Sequence, residues 1–79
     1  MRLDKFLKVS RILKRRTVAA EACRAGKVTV NGRDAKPAHT LKVGDEVELF
    51  FAAGSLKFRV LELKESVKKE DAAKMYEIL

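Results

Sequence analysis

Side chains able to do covalent or acid-base work are few in this chain, and they are scattered. His39 is the sole histidine. Set between Pro37 and Leu41, it reads as an exposed loop residue with no neighbour to orient it as a general base. Cys23 is the sole cysteine, and no histidine lies near it in sequence to draw off its proton. It reads as a buried, inert thiol, and a lone cysteine leaves neither an intrachain disulfide nor a thiolate zinc site. Gly26, Gly32, Gly44 and Gly54 are isolated from one another and build no phosphate-cradling loop. The expectation is a protein with no catalytic residue, metal or cofactor, which acts by binding and is not an enzyme.

The plentiful chemistry is cationic. Met1 to Gly44 holds twelve Lys and Arg against Asp4, Glu21 and Asp34, a local charge of +9 that includes the run Lys14-Arg15-Arg16. From Asp45 onward six basic residues face eight acidic ones, or −2, so nearly all of the net +7 belongs to the first part. Cations gathered on one face attract polyanions, because each one placed on a phosphate releases condensed counterions. Nucleic acid is the leading partner, and a generic solubilising surface accounts poorly for charge polarised in this way.

Residues 1–79, 47 % of them apolar, describe one small domain. A chain of this length buries only about 60 to 65 % of the surface its unfolded form exposes, which leaves a thin core and little room for a deep substrate cavity. No apolar run approaches the roughly 18 residues of a membrane span, and Met1-Arg2-Leu3-Asp4 lacks the apolar stretch of a secretory signal. The reading is cytoplasmic, monomeric and without a membrane partner.

Leu3, Phe6 and Leu7 follow the i, i+3, i+4 spacing of one helix face and leave Arg2, Lys5 and Lys8 on the others. Asp4, two residues from Arg2, cannot share a helix face with it and is expected to pair with another cation. Thr17 is placed to cap a second helix that buries Val18, Ala22 and Ala25, with Ala19 and Cys23 at its margin and Gly26 ending it. The alternation of Lys27-Val28-Thr29-Val30-Asn31 predicts a strand, and Asn31-Gly32 a tight hairpin turn. After breaks at Lys36-Pro37 and Val43-Gly44-Asp45, Val47, Leu49 and Phe51 alternate with Glu46, Glu48 and Phe50. Ala52-Ala53-Gly54-Ser55 then turns the chain into Leu56, Phe58 and Val60, alternating with Lys57 and Arg59, which are expected to face Glu46 and Glu48 across an antiparallel pair. The phase slips at Val60-Leu61, through a bulge or through burial of both faces. In the tail, Lys68 to Leu79, Ala72, Met75, Tyr76 and Leu79 form a stripe that predicts a third helix packed on the sheet.

Five ordered motifs then stand out: Arg2-Leu3-Asp4-Lys5-Phe6-Leu7; Ser10-Arg11 with Lys14-Arg15-Arg16-Thr17-Val18-Ala19; Gly26-Lys27-Val28-Thr29-Val30-Asn31-Gly32; Lys36-Pro37; and Val43-Gly44-Asp45-Glu46-Val47. Together, over roughly residues 1 to 50, they resemble the RNA-binding domain named after small-subunit ribosomal protein four. The resemblance implies an α+β fold: two packed N-terminal helices on a small curved, mainly antiparallel sheet. The motif core spans about residues 1–50, and residues 51–79 add a strand and a short C-terminal helix.

Such a domain standing almost alone has no room for an appended enzyme. The start of the chain, the basic run and the tail Lys68-Lys69-Glu70-Asp71-Ala72-Ala73-Lys74-Met75-Tyr76 look closest to free-standing bacterial ribosome-associated quality-control factors of this family. That implies binding to an obstructed large ribosomal subunit carrying peptidyl-tRNA, contact with large-subunit ribosomal RNA and tRNA together, and support for template-free alanine tailing by RqcH. A related small heat-shock protein of this fold is longer and ends in a more basic tail.

By the same resemblance Arg2 and Arg16 fall on positions used for RNA contact, and a guanidinium, which bonds phosphate bidentately and never deprotonates, suits both. Lys5, Lys8, Arg11, Lys14 and Arg15 are assigned to a surrounding phosphate-contacting field, with Lys27 and Lys36 at its edge. Phe50 and Tyr76 are the only candidate base-stacking platforms, so the RNA is expected to be read by shape and phosphate geometry. The alternatives are a DNA-binding, nucleoid-type basic protein, for which no recognition helix is evident, and another ribosome-assembly RNA-binding factor.

Overall fold

The structure, a computed structural model, describes all 79 residues. Helix α1 spans Leu3–Val9 and inserts Leu3, Phe6 and Leu7, all fully buried, as their spacing predicts. Its first-turn amides are satisfied by two tertiary contacts and one local side chain. Leu3 N–H donates to the His39 carbonyl (2.8 Å), Asp4 N–H to the Pro37 carbonyl (3.1 Å) and Lys5 N–H to the Asp4 carboxylate (2.7 Å). The loop after Lys36 therefore acts as the cap of α1 and fixes it against the sheet.

Helix α2 spans Arg16–Arg24. It starts before Thr17, and Arg15 occupies the N-cap with no side-chain capping bond, so Thr17 does not cap it. The buried face also differs from expectation. Ala19, Ala20 and Cys23 are inside, whereas Val18 and Ala25 are exposed and Ala22 is half-buried. The cause is size: the face that meets α1 is made of the smallest side chains, and branched Val18 is left outside. Gly26, at φ 73°, ends α2 as predicted. Lys27 N–H reaches the Ala22 carbonyl (2.9 Å) and Gly26 N–H the Cys23 carbonyl (3.1 Å), the paired bonds of a Schellman motif.

Five strands follow in one antiparallel sheet: β1 Val28–Val30, β2 Arg33–Asp34, β3 Glu46–Phe51, β4 Gly54–Val60 and β5 Tyr76–Ile78, in the order β2-β1-β3-β4-β5. Asn31 and Gly32, both at positive φ, make the predicted two-residue turn between β1 and β2. The two cations of β4 do face the two acids of β3, and the register sets Glu46 opposite Arg59 and Glu48 opposite Lys57. The phase slip is the end of a ladder: β4 stops at Val60, and the amides of Leu61 and Glu62 both donate to the Met75 carbonyl, the hydrogen-bond signature of a bulge.

The tail is partly a correction. A 3₁₀ helix over Lys69–Met75 buries Ala72 and Met75 as expected, but the chain then extends. Tyr76 becomes the first residue of β5, sets its ring edge-on to Phe58 at 5.5 Å, and leaves Leu79 exposed. The open edge of β4 offers backbone hydrogen bonds that a continued helix would forgo. One hydrophobic core, centred on Phe6, Phe58, Leu3, Leu7, Leu41 and Met75, joins helices and sheet.

Candidate nucleic-acid interface

Arg2 precedes α1 in extended conformation and Arg16 opens α2, so the packing of the two helices brings them to one place. Asp4 lies between them. Because Arg2 stands outside the helix, its side chain folds back over the first turn, and the expectation that Asp4 could not pair with it is overturned. Arg2 Nε donates to Asp4 Oδ1 and Arg2 Nη2 to Oδ2, both at 3.1 Å, a two-pronged pair. Arg16 Nη2 lies 3.4 Å from Oδ1.

The exposures decide what this cluster can do. The Asp4 side chain is 5 % exposed, while those of Arg2 and Arg16 are 51 % and 46 % exposed. A buried anion thus gathers two guanidiniums whose outer N–H groups still face water. Burial alone would raise the Asp4 carboxyl, but hydrogen bonds from Arg2, Arg16 and the Lys5 amide outweigh it and hold the group below its ordinary 3.8. The cluster carries one net positive charge and donors for phosphate oxygens, held in place before any ligand arrives.

The other predicted cations fall in three settings. Lys5 is half-buried and paired with Glu65, sixty positions away, so its ammonium is not free. Lys8, Arg11, Lys14 and Arg15 lie along the end of α1 and the connection to α2, exposed and with no acid within ion-pair distance. Lys27 stands exposed where α2 passes into β1, and Lys36 borders a shallow pocket with Arg24, Gly26 and Cys23. Cys23 itself is buried, and its thiol is pushed up to about 11, chiefly by that burial, as an inert thiol requires. His39 is exposed and serves through its carbonyl.

Asp4 does pair with another cation, Arg16, as expected. Its pair with Arg2 was missed but legible in principle, since an Arg at the helix entry two residues before an Asp can fold back over the first turn. Lys69 lies far along the chain yet borders the same region as Lys8, Arg11 and Lys14, and no sequence signal connects them.

Fold and basic face together define an S4-type RNA-binding domain, and the family model described as the S4 domain matches residues 1–47. The RQC P-site tRNA stabilizing factor of Streptococcus pneumoniae is 60 % identical over 79 residues, covering 100 % of this chain and 90 % of that one. Its counterpart from Bacillus subtilis is 51 % identical over 79 residues, covering 100 % and 92 %. This chain belongs to the family of RQC P-site tRNA stabilizing factors, RqcP. Among solved structures, the trimeric heat shock protein 15 of Vibrio cholerae superposes with a TM-score of 0.92 at 26 % identity, covering 100 % of this chain and 81 % of that one.

Proposed function

We propose that this protein is a non-catalytic RNA-binding factor of ribosome-associated quality control, acting in the cytoplasm on the obstructed large ribosomal subunit. There it holds peptidyl-tRNA in the P site by touching tRNA and large-subunit ribosomal RNA together, and so supports the template-free alanine tailing carried out by RqcH. Arg2 and Arg16 are the primary phosphate ligands. Lys8, Arg11, Lys14 and Arg15 extend the field, Lys27 and Lys36 edge it, and Lys5 joins only if Glu65 releases it. The names of the relatives support the setting. The observation that carries the chemistry is the buried Asp4 carboxylate that fixes two half-exposed arginines side by side. Of the two candidate base platforms, Tyr76 is packed edge-on to Phe58, and Phe50 stands exposed in β3, outside the helices that carry Arg2 and Arg16.

Co-sedimentation with large ribosomal subunits tests this reading. Because Asp4 lies against both arginines, neutral substitutions are more informative than charge reversals. Arg2→Gln and Arg16→Gln are expected to leave circular dichroism unchanged and to remove the protein from the subunit fraction. If about six phosphates are neutralised, log affinity for structured RNA falls with log salt with a slope on the order of −4. Retention of both variants on the subunit, a slope near zero, or equal affinity for duplex DNA at matched salt contradicts the proposal.

A further inference from the structure

The connection after α1 faces the segment that precedes the C-terminal 3₁₀ helix across a cleft of about 540 Å³, within the size range of ligand sites. Lys8, Arg11, Lys14 and Lys69 stand on its walls, none with an acid in ion-pair distance, and Val9, Leu13 and Val67 are half-buried against the core beneath them. The Lys5–Glu65 pair ties the far wall to α1. That wall, Glu65 to Lys69, lies beyond the residues 1–47 matched by the S4 family model.

Arg11 adds an independent observation. It sits at φ 62°, a left-handed backbone that glycine adopts freely and a long side chain only at a cost. The tight turn is closed by Arg11 N–H to the Lys8 carbonyl (3.0 Å) and Leu13 N–H to the Leu7 carbonyl (2.9 Å), so the conformation is imposed by the path between the helices. A cation kept where glycine would fit better points to work for its side chain.

We infer that this cleft is a second RNA site, which takes an unpaired nucleotide: its phosphates lie on Lys8, Arg11, Lys14 and Lys69 and its base lies on the apolar floor. An acidic peptide would use the cations and leave Val9, Leu13 and Val67 idle, whereas a nucleotide brings a phosphate and a flat, weakly polar base in one unit. The inference rests on the RNA-binding reading above and deepens it: the arginine pair grips structured RNA, and the cleft takes a neighbouring unstacked residue.

The test is fluorescence anisotropy with two labelled RNA hairpins, one blunt and one with a short uridine overhang. The overhang is expected to tighten binding of the wild-type protein by about tenfold, the worth of one charge-assisted contact. Lys69→Gln should erase that advantage while leaving blunt-hairpin affinity unchanged. Arg11→Gly should erase it with part of the blunt-hairpin affinity, and should melt no lower than wild type because glycine relieves the turn. Equal wild-type affinity for the two hairpins, an advantage that survives Lys69→Gln, or a loss of both affinities together in Lys69→Gln overturns the inference and leaves the arginine pair standing. If the wild-type protein binds neither hairpin, the RNA-binding reading falls, and the cleft falls with it.

Discussion

In the sheet-forming part of the chain, Lys57 and Arg59 lie against Glu46, Arg59 also reaches Glu77, Lys64 meets Glu62 and Lys74 meets Asp71. In the part before Asp45, which holds both helices together with β1 and β2, only Arg2, Lys5 and Arg16 have an acid within ion-pair distance, which leaves nine of its twelve cations unpaired. Exposed pairs of this kind add little stability, typically under about 1 kcal/mol each. Their effect is to cancel the field over β3, β4 and β5, so the uncompensated positive charge belongs to the first part of the chain. The unpaired cations of the second part are Lys68 and Lys69, and Lys69 stands on the cleft shared with α1. Charge is balanced over β3 to β5 and left open over the part of the chain that holds the two helices.

The largest expected effect comes from breaking the supporting part. Deleting Asp71 to Leu79 removes Ala72, Met75 and β5, strips the Tyr76 ring from Phe58 and opens the edge of β4. Each fully buried apolar side chain is worth about 1.5 to 3 kcal/mol, set against a total stability of about 5 kcal/mol for so small a domain. The truncated protein should melt near or below room temperature. A melting curve with an unchanged midpoint would show that the sheet does not depend on the tail.

An intermediate effect is expected at Asp4, the one acid that gathers Arg2 and Arg16. Asp4→Asn keeps the shape but loses the charge that gathers Arg2 and Arg16, and should cost about 1 to 3 kcal/mol at neutral pH, a fall in midpoint of roughly 5 to 20 °C. The sign with pH follows from the depressed carboxyl: its contribution is fully present above the ordinary 3.8 and is lost as pH falls through the lower folded-state value. The gap between wild type and Asp4→Asn should therefore narrow in melts taken on the acid side of 3.8. A gap that stays constant to the acid limit would mean that the ionised carboxylate is not what stabilises the cluster. RNA affinity should fall in the same variant, since two unconstrained arginines must be ordered on binding.

What the sequence disclosed and what it hid divide along physical lines. The i, i+3, i+4 spacing of Leu3, Phe6 and Leu7, the Asn31-Gly32 turn and the facing of Lys57 and Arg59 with Glu46 and Glu48 are local or set by a short turn, and all three were legible. The buried face of α2 was misjudged because hydrophobicity favoured Val18, whereas close helix packing selects for small Ala19 and Cys23. The end of the tail was read as helix because Tyr76 and Leu79 fit a helical stripe, and the open edge of β4 that draws Tyr76–Ile78 into the sheet is a tertiary fact. The basic field was plain from composition. The Lys5–Glu65 pair and the reach of Lys69 to the α1 side join residues distant in sequence, and nothing in the local pattern marks them.

The smallest expected effect sharpens the contrast at a single position. Arg15 is the N-cap of α2, at φ −128° and ψ 138°, a backbone suited to a capping side chain, yet it makes no capping bond. Serine there would accept a hydrogen bond from the first-turn amides and is worth about 0.5 to 1 kcal/mol over a residue that cannot cap. Arg15→Ser should thus raise the thermal midpoint by a few degrees, on the order of 4 °C. The same change removes one cation from the open field, so the slope of log affinity for structured RNA against log salt should become shallower by about 0.7, the contribution of one phosphate contact. Stability and binding then move in opposite directions at one residue, which is the behaviour of a position where the need for charge has displaced the better cap. If Arg15→Ser raises the midpoint and leaves the salt slope untouched, Arg15 lies outside the RNA-contacting field, and the unpaired charge at that end of α2 is surface and nothing more.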